Sequence, residues 1–217
     1  MAATRNLSFL AVLTTLLLLT GTSQAQDSKF EIGLRFNVLL GDGVPSNDIP
    51  GLGVIGRYRL NNGWFIGAGY DSYEYDFERP WRVAGLEQDP SIAVIDAIGN
   101  SSVISGSIGR LFNETDSGFD WFWSLGVGFA SPSIDDVAGP TDDGGTFDLT
   151  FDVGSEIHLM ATLGTSYNFS EKWSTSFAAR VEHHFMDVLV TDRESGATGK
   201  IDSQSPIGGF ISLNYRF

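Results

Sequence analysis

The chain has 217 residues, 42% of them hydrophobic, with no cysteine and 27 acidic against 13 basic side chains, for a formal net charge of −14. The missing cysteines exclude disulfides and thiolate metal sites, so an exported chain of this kind must draw its stability from a large hydrogen-bonded core or from a bilayer. The negative balance argues against DNA, RNA or bare anionic surfaces as partners.

Arg5 is the only charge in the first 25 residues, and Leu7 to Leu19 is apolar apart from Ser8, Thr14 and Thr15. That run is shorter than the ~20 residues a spanning helix needs. It is followed by the small-x-small stretch Ser23-Gln24-Ala25. We therefore expect residues 1–25 to be a cleaved secretory leader and 26–217 to be one domain; an uncleaved anchor helix is the alternative.

Period-two alternation then recurs eight times, predicting strands at 29–40, 52–60, 64–77, 102–112, 119–131, 156–169, 173–186 and 206–217. In 119–131 one face carries Phe119, Trp121, Trp123, Leu125, Val127 and Phe129; the other carries Asp120, Phe122, Ser124, Gly126 and Gly128. In 206–217 the apolar face is Ile207, Ile211, Leu213, Tyr215 and Phe217, with Gly209 in step. An apolar outside and a small or polar inside is the pattern of a barrel wall in lipid.

Connections alternate in length. Asn61-Asn62-Gly63, 113–118 and Ser170-Glu171-Lys172 are tight turns, whereas 41–51, 78–101, 132–155 and 187–205 are long. The fold class expected is all-β: an eight-stranded antiparallel up-and-down transmembrane barrel with short periplasmic turns and long extracellular loops. Trp64, Trp121, Tyr167, Phe169 and Trp173 all fall at the short-turn end, where an aromatic girdle belongs.

With these strands, turns, the leader and the terminal Leu213-x-Tyr215-x-Phe217 pattern, the mature chain resembles the eight-stranded outer-membrane β-barrel proteins of Gram-negative bacteria, the OmpA-barrel, OmpX and OmpW-like group. The resemblance implies location in the outer membrane, contact with its lipid and lipopolysaccharide, and a monomer. It also implies that Leu213, Tyr215 and Phe217 are read by the barrel-assembly machinery. No peptidoglycan-anchoring domain is expected after the barrel.

The inward faces carry Glu31, Arg35, Arg57, Arg59, Asp71, Asp120, His158, Arg180, Glu182, His184 and Arg216, while Arg110 stays unassigned because strand four alternates poorly. Charges away from water must be paired. Glu31, Arg59 and Arg216 should meet near the periplasmic end, because the first strand lies between the second and the last in a closed meander. A second cluster of Arg35, Arg57, Arg180 and Glu182 is expected above it. Eight strands leave an interior just wide enough for side chains, so these groups are read as a plug, with a narrow gated solute path as the alternative.

The loops are acidic. Asp135-Asp136 and Asp142-Asp143-Gly144-Gly145 are candidate divalent-cation sites, against the plainer reading of a solvated, self-repelling surface; no EF-hand spacing occurs. Trp81 is a candidate contact residue or a small loop core. No cofactor is indicated. Lipid A deacylation of the His-x-Ser kind lacks its nucleophile in Glu182-His183-His184-Phe185-Met186-Asp187. His183 and His184, as strand neighbours, face opposite ways and cannot chelate one metal. The expected role is non-catalytic: envelope integrity, surface interaction or limited passage of small solutes. A lipid A-modifying enzyme and a soluble lipocalin-like binding barrel are the alternatives.

Overall fold

The computed structural model describes residues 29–40, 49–82, 92–113, 118–142, 144–185, 188–201 and 205–217. The leader assigned to 1–25 lies outside them, as do Asp143 and most of the loop 41–51. Of Trp81, only the backbone is described.

Among the described residues twelve strands form: β1 (Phe30–Leu40), β2 (Ile49–Arg59), β3 (Trp64–Arg82), β4 (Ile92–Asn113), β5 (Phe119–Ile134), β6 (Val137–Pro140), β7 (Thr146–Val153), β8 (Glu156–Asn168), β9 (Trp173–Phe185), β10 (Val188–Asp192), β11 (Thr198–Ile201) and β12 (Ile207–Arg216). Eight of them close into an antiparallel barrel in the order β1-β12-β9-β8-β5-β4-β3-β2. Burial alternates along its wall; β1 runs from exposed Phe30 through buried Glu31, Gly33, Arg35, Asn37 and Leu39, with Leu34, Phe36 and Leu40 outside. Leu52, Ile66, Ile104, Leu125, Phe129, Leu163, Phe177 and Ile211 continue the outward apolar band around the wall. In water such a surface would aggregate; against acyl chains it is the matching solvent.

The tight ends are built by local chemistry. At Asn61-Asn62-Gly63 the backbone turns left-handed at Asn62 (φ 62°) and Gly63 (φ 78°), which asparagine and glycine tolerate. At the 169–172 turn, Ser170 Oγ accepts the N–H groups of Lys172 and Trp173 at 3.3 and 2.9 Å. The girdle residues pair here: Trp173 with Tyr215 (4.9 Å between ring centroids), Phe119 with Tyr167 (4.8 Å) and Trp64 with Trp123 (5.7 Å). Trp121 and Phe169 are exposed on the same rim. Arg110, unassigned from sequence, is outward on β4 with its guanidinium over the Phe112 ring at 5.2 Å.

Three of the expected long loops are strand-rich. The 78–101 segment is largely the continuation of the β3–β4 hairpin, paired as far as Arg82↔Ile92. Pro80 fits there because β2 stops pairing at Gly51↔Tyr73, leaving the upper part of β3 an edge. The 132–155 and 187–205 segments form a second four-stranded sheet, in the order β11-β10-β7-β6, with β7 against β5 and β6 against β4. Phe147, Leu149, Val188 and Val190 are buried on one face of this sheet, while Asp142, Asp152 and Glu194 are exposed. The outer end is therefore an ordered acidic platform, where sequence reading expected irregular loop.

The platform's β10–β11 hairpin depends on one carboxylate. Asp192 accepts hydrogen bonds from Asp148 N (3.0 Å), Glu194 N (3.2 Å), Ser195 N (3.3 Å) and Ser195 Oγ (2.5 Å). Desolvation alone would raise this carboxyl, but those hydrogen bonds outweigh it and hold it below its ordinary 3.8. A depressed carboxylate stabilises above its unfolded-state value, and the contribution is lost as pH falls through the folded value. Amide-exchange protection of 188–198 should therefore be unchanged from neutral pH to about pH 4 and fall below it. Asp192→Ala should lose that protection already at pH 7 and show no further acid step.

Candidate functional site

The lumen is stacked in layers, each set by strand register. At the short-turn end, Glu31 sits across from Arg57 on one neighbouring strand and Arg216 on the other. Its Oε1 accepts from Arg57 Nη1 at 3.2 Å, and its Oε2 accepts from Arg59 Nη2 at 3.3 Å and Arg216 Nε at 3.2 Å. Arg216 also donates to Asn168 Oδ1, and Asn168 Nδ2 donates to Asp120 Oδ2 at 2.9 Å. The structure thus brings Glu31, Arg59 and Arg216 together and draws in Arg57 and, through Asn168, Asp120. Arg57 belongs to this lower layer and not to the upper cluster expected from sequence.

Above it, Phe65, Leu111, Phe122 and Phe210 form an apolar layer inside the barrel. Phe65 and Phe122 meet edge to face at 6.5 Å, and the Arg57 guanidinium caps both, 4.8 Å from the Phe122 centroid and 5.5 Å from that of Phe65. Arg35 covers Phe210 at 5.7 Å. The rings fit because glycines face them: Gly109 is the register partner of Phe65 and Gly164 that of Phe122. A Cβ on Gly164 would lie 2.7 Å from Phe122 Cζ and 2.7 Å from Ala178 Cβ. Gly164→Val is therefore expected to cost about 1–3 kcal/mol through overpacking, read as a lower urea midpoint for unfolding from bilayers. The adjoining cavity, bounded by Arg35, Arg57, Phe65, Phe122, Met160 and Arg180, measures about 30 Å³, the space of one water.

Higher still, Arg35 grips Asp71 in a two-pronged pair, Nε donating to Oδ1 at 2.6 Å and Nη2 to Oδ2, while Asn37 Nδ2 adds a bond to Oδ1 at 2.9 Å. Arg180 takes a different carboxylate. Its Nε lies 2.6 Å from Glu182 Oε1, and it donates to the Tyr73 hydroxyl. Glu182 in turn meets His184 and His158, and His158 meets Glu156. The upper cluster predicted as one unit is thus two, Arg35–Asp71 and Arg180–Glu182. Glu156 and His158 join the second, a grouping the sequence reading did not make. Leu39, Ile49, Tyr73, Val103 and Ala130 form an apolar layer at this end. Among the described residues of the lumen, the carboxylates Glu31, Asp71, Asp120, Glu156 and Glu182 balance the guanidiniums Arg35, Arg57, Arg59, Arg180 and Arg216.

Outside the lumen the candidate residues are more dispersed. Asp136 pairs with Arg193 at 3.0 Å, and Arg193 also reaches Asp148 at 3.5 Å, all partly or fully exposed. Asp135 and Asp136 precede β6 and Asp142 follows it, so a strand separates the two proposed cation pairs by roughly 13 Å of rise. Leu213 is exposed on the outer wall, paired with Leu34, and Tyr215 and Phe217 pack together at 5.1 Å at the girdle. His183 points outward, its ring edge-on to Phe185 at 4.5 Å, and its Nδ1 lies 2.8 Å from Ser205 Oγ. Sequence spacing hid that serine. Among the described residues no carboxylate is paired with His183.

A family model described as the outer membrane protein beta-barrel domain matches residues 10–191. No curated protein matches the chain. Among solved structures, the outer membrane protein OprG from Pseudomonas aeruginosa is 12% identical, with a TM-score of 0.60 over 90% of this chain and 99% of that one. Neisserial surface protein A is 13% identical, with a TM-score of 0.52 over 87% and 96%. AlkL, solved by solid-state NMR in lipid bilayers, is 12% identical, with a TM-score of 0.52 over 91% and 94%. At such identities the likeness is one of fold.

Proposed function

Because the chain belongs to the outer membrane protein β-barrel domain family and resides in the bacterial outer membrane, we propose that it acts there as a closed, non-conducting barrel that carries an acidic β-sheet platform to the cell surface. The platform is the working part, for contact with surface partners and for envelope integrity; the barrel anchors it. The observation that supports this most is the filling of the lumen: an aromatic layer under arginine caps, with ion-pair layers on both sides and a cavity the size of one water. Balanced lumen charge gives no basis for attracting ions of one sign. The long β3–β4 hairpin and the sheet β11-β10-β7-β6 put ordered polar surface where recognition residues are usually held. Lipid and lipopolysaccharide surround the barrel in this reading, and the chain works as a monomer assembled by the barrel-assembly machinery.

Replacing 135–155 and 187–205 by short turns separates the two parts. The trimmed barrel should still fold, with heat-modifiable gel mobility, but fail to restore bile-salt and chelator resistance to a deletion strain that the full chain rescues. Full rescue by the trimmed barrel would place the role in the barrel itself.

A further inference from the structure

β8 and β9 carry the same short pattern near the extracellular mouth of the lumen, Glu156-x-His158 and Glu182-x-His184. Period two sends all four side chains inward, and the antiparallel register sets His158 directly across from His184. The two imidazoles stack, 3.7 Å between centroids and 20° between planes. Glu156 Oε2 lies 3.1 Å from His158 Nε2 and 3.9 Å from His184 Nδ1. These three residues offer ligand atoms all within 4.8 Å of one another. Glu182 Oε2 stands on the other side of both rings, 2.7 Å from His184 Nε2 and 3.6 Å from His158 Nδ1.

We propose that Glu156 Oε2, His158 Nε2 and His184 Nδ1 bind a divalent transition-metal ion of the Zn²⁺ class. Two imidazoles and one carboxylate, with a position left for water, suit Zn²⁺ and its neighbours; Ca²⁺ and Mg²⁺ take oxygen ligands. Glu182 supplies the outer carboxylate that metal-bound histidines require, since binding at one ring nitrogen leaves the other as an N–H donor. For His184 that second nitrogen already meets Glu182. For His158 it is Nδ1, which is buried without a hydrogen-bond partner and faces the same oxygen. Glu182 is itself fixed through Oε1 by Arg180, leaving Oε2 for the histidines. The ion would tie β8 to β9 directly below the points where the chain enters the barrel from β7 and leaves it for β10.

The test uses the full-length folded barrel in detergent, free of any histidine tag. Calorimetric titration with ZnCl₂ should show one ion bound per chain, with CaCl₂ and MgCl₂ giving no saturable heat. His158→Ala, His184→Ala and Glu156→Gln should each weaken Zn²⁺ binding at least tenfold. His183→Ala, at the remaining histidine, should bind as wild type. Unboiled gel mobility checks that each variant is folded. If a variant fails to fold, the Co²⁺ spectrum of the wild type decides: visible bands of a nitrogen-ligated ion support the site, and an all-oxygen octahedral spectrum overturns it. Absence of Zn²⁺ uptake, equal binding by Ca²⁺, or undiminished binding in His158→Ala/His184→Ala would also overturn it.

Discussion

Glu31→Ala is expected to destabilise the folded barrel by about 3–5 kcal/mol, the cost of leaving buried partners of an ion pair uncompensated. Glu31 is 4% exposed and is the direct carboxylate partner of Arg57, Arg59 and Arg216. Removing it leaves three guanidiniums close together, with Asp120 hydrogen-bonded towards Arg216 through Asn168 and its charge acting on Arg59. The position compounds the cost, because Glu31 lies on the strand between β2 and β12, where the chain's two ends close the barrel. Single removal of Arg59 should cost less, since its side chain is a quarter exposed and Glu31 keeps two other partners. Urea titration of barrels refolded into lipid bilayers, followed by unboiled gel mobility, reads both changes. A Glu31→Ala effect below that of Arg59→Ala would break this account of the seam.

Phe65→Ala/Phe122→Ala should convert a silent barrel into one that passes ions. Their two benzyl groups, with Leu111 and Phe210, make up the apolar layer above the lower ion-pair layer, and they line the small cavity bounded by Arg35, Arg57 and Arg180. Their loss also removes the surfaces on which the Arg57 guanidinium rests, freeing it to swing aside while Glu31 keeps Arg59 and Arg216. The balanced lumen charge predicts little preference between cations and anions in the opened variant. Each large-to-small change also costs about 3–5 kcal/mol of packing, so recordings belong on protein whose unboiled mobility shows it folded.

The barrel was legible because lipid and lumen impose opposite demands on alternate residues, and the eight period-two runs obey them. Closure made the meeting of Glu31 and Arg216 readable as well. The platform was missed for a specific reason. Residues 146–153 alternate Phe147, Leu149, Phe151 and Val153 with Thr146, Asp148, Thr150 and Asp152, a strand signal obscured by reading the aspartates as loop. β6 and β11, at four residues each, are too short to show a period. The lumen layers depend on register, which a pattern within one strand does not contain. Phe122 and Phe210 already stood on inward faces, but that they meet Phe65 at one height is a property of the closed barrel. The His158–His184 pairing could have been found. The tight turn at 170–172 fixes the β8–β9 register, and the two histidines are equally far from Glu171 along the chain. Comparing only His183 with His184 concealed it.

A sealed lumen is read most simply by planar-bilayer recording of the purified wild-type barrel. The wild-type barrel should give a flat baseline at both polarities, with conductance steps only in Phe65→Ala/Phe122→Ala. Reproducible steps from folded wild-type protein, absent from a heat-denatured control, would contradict it.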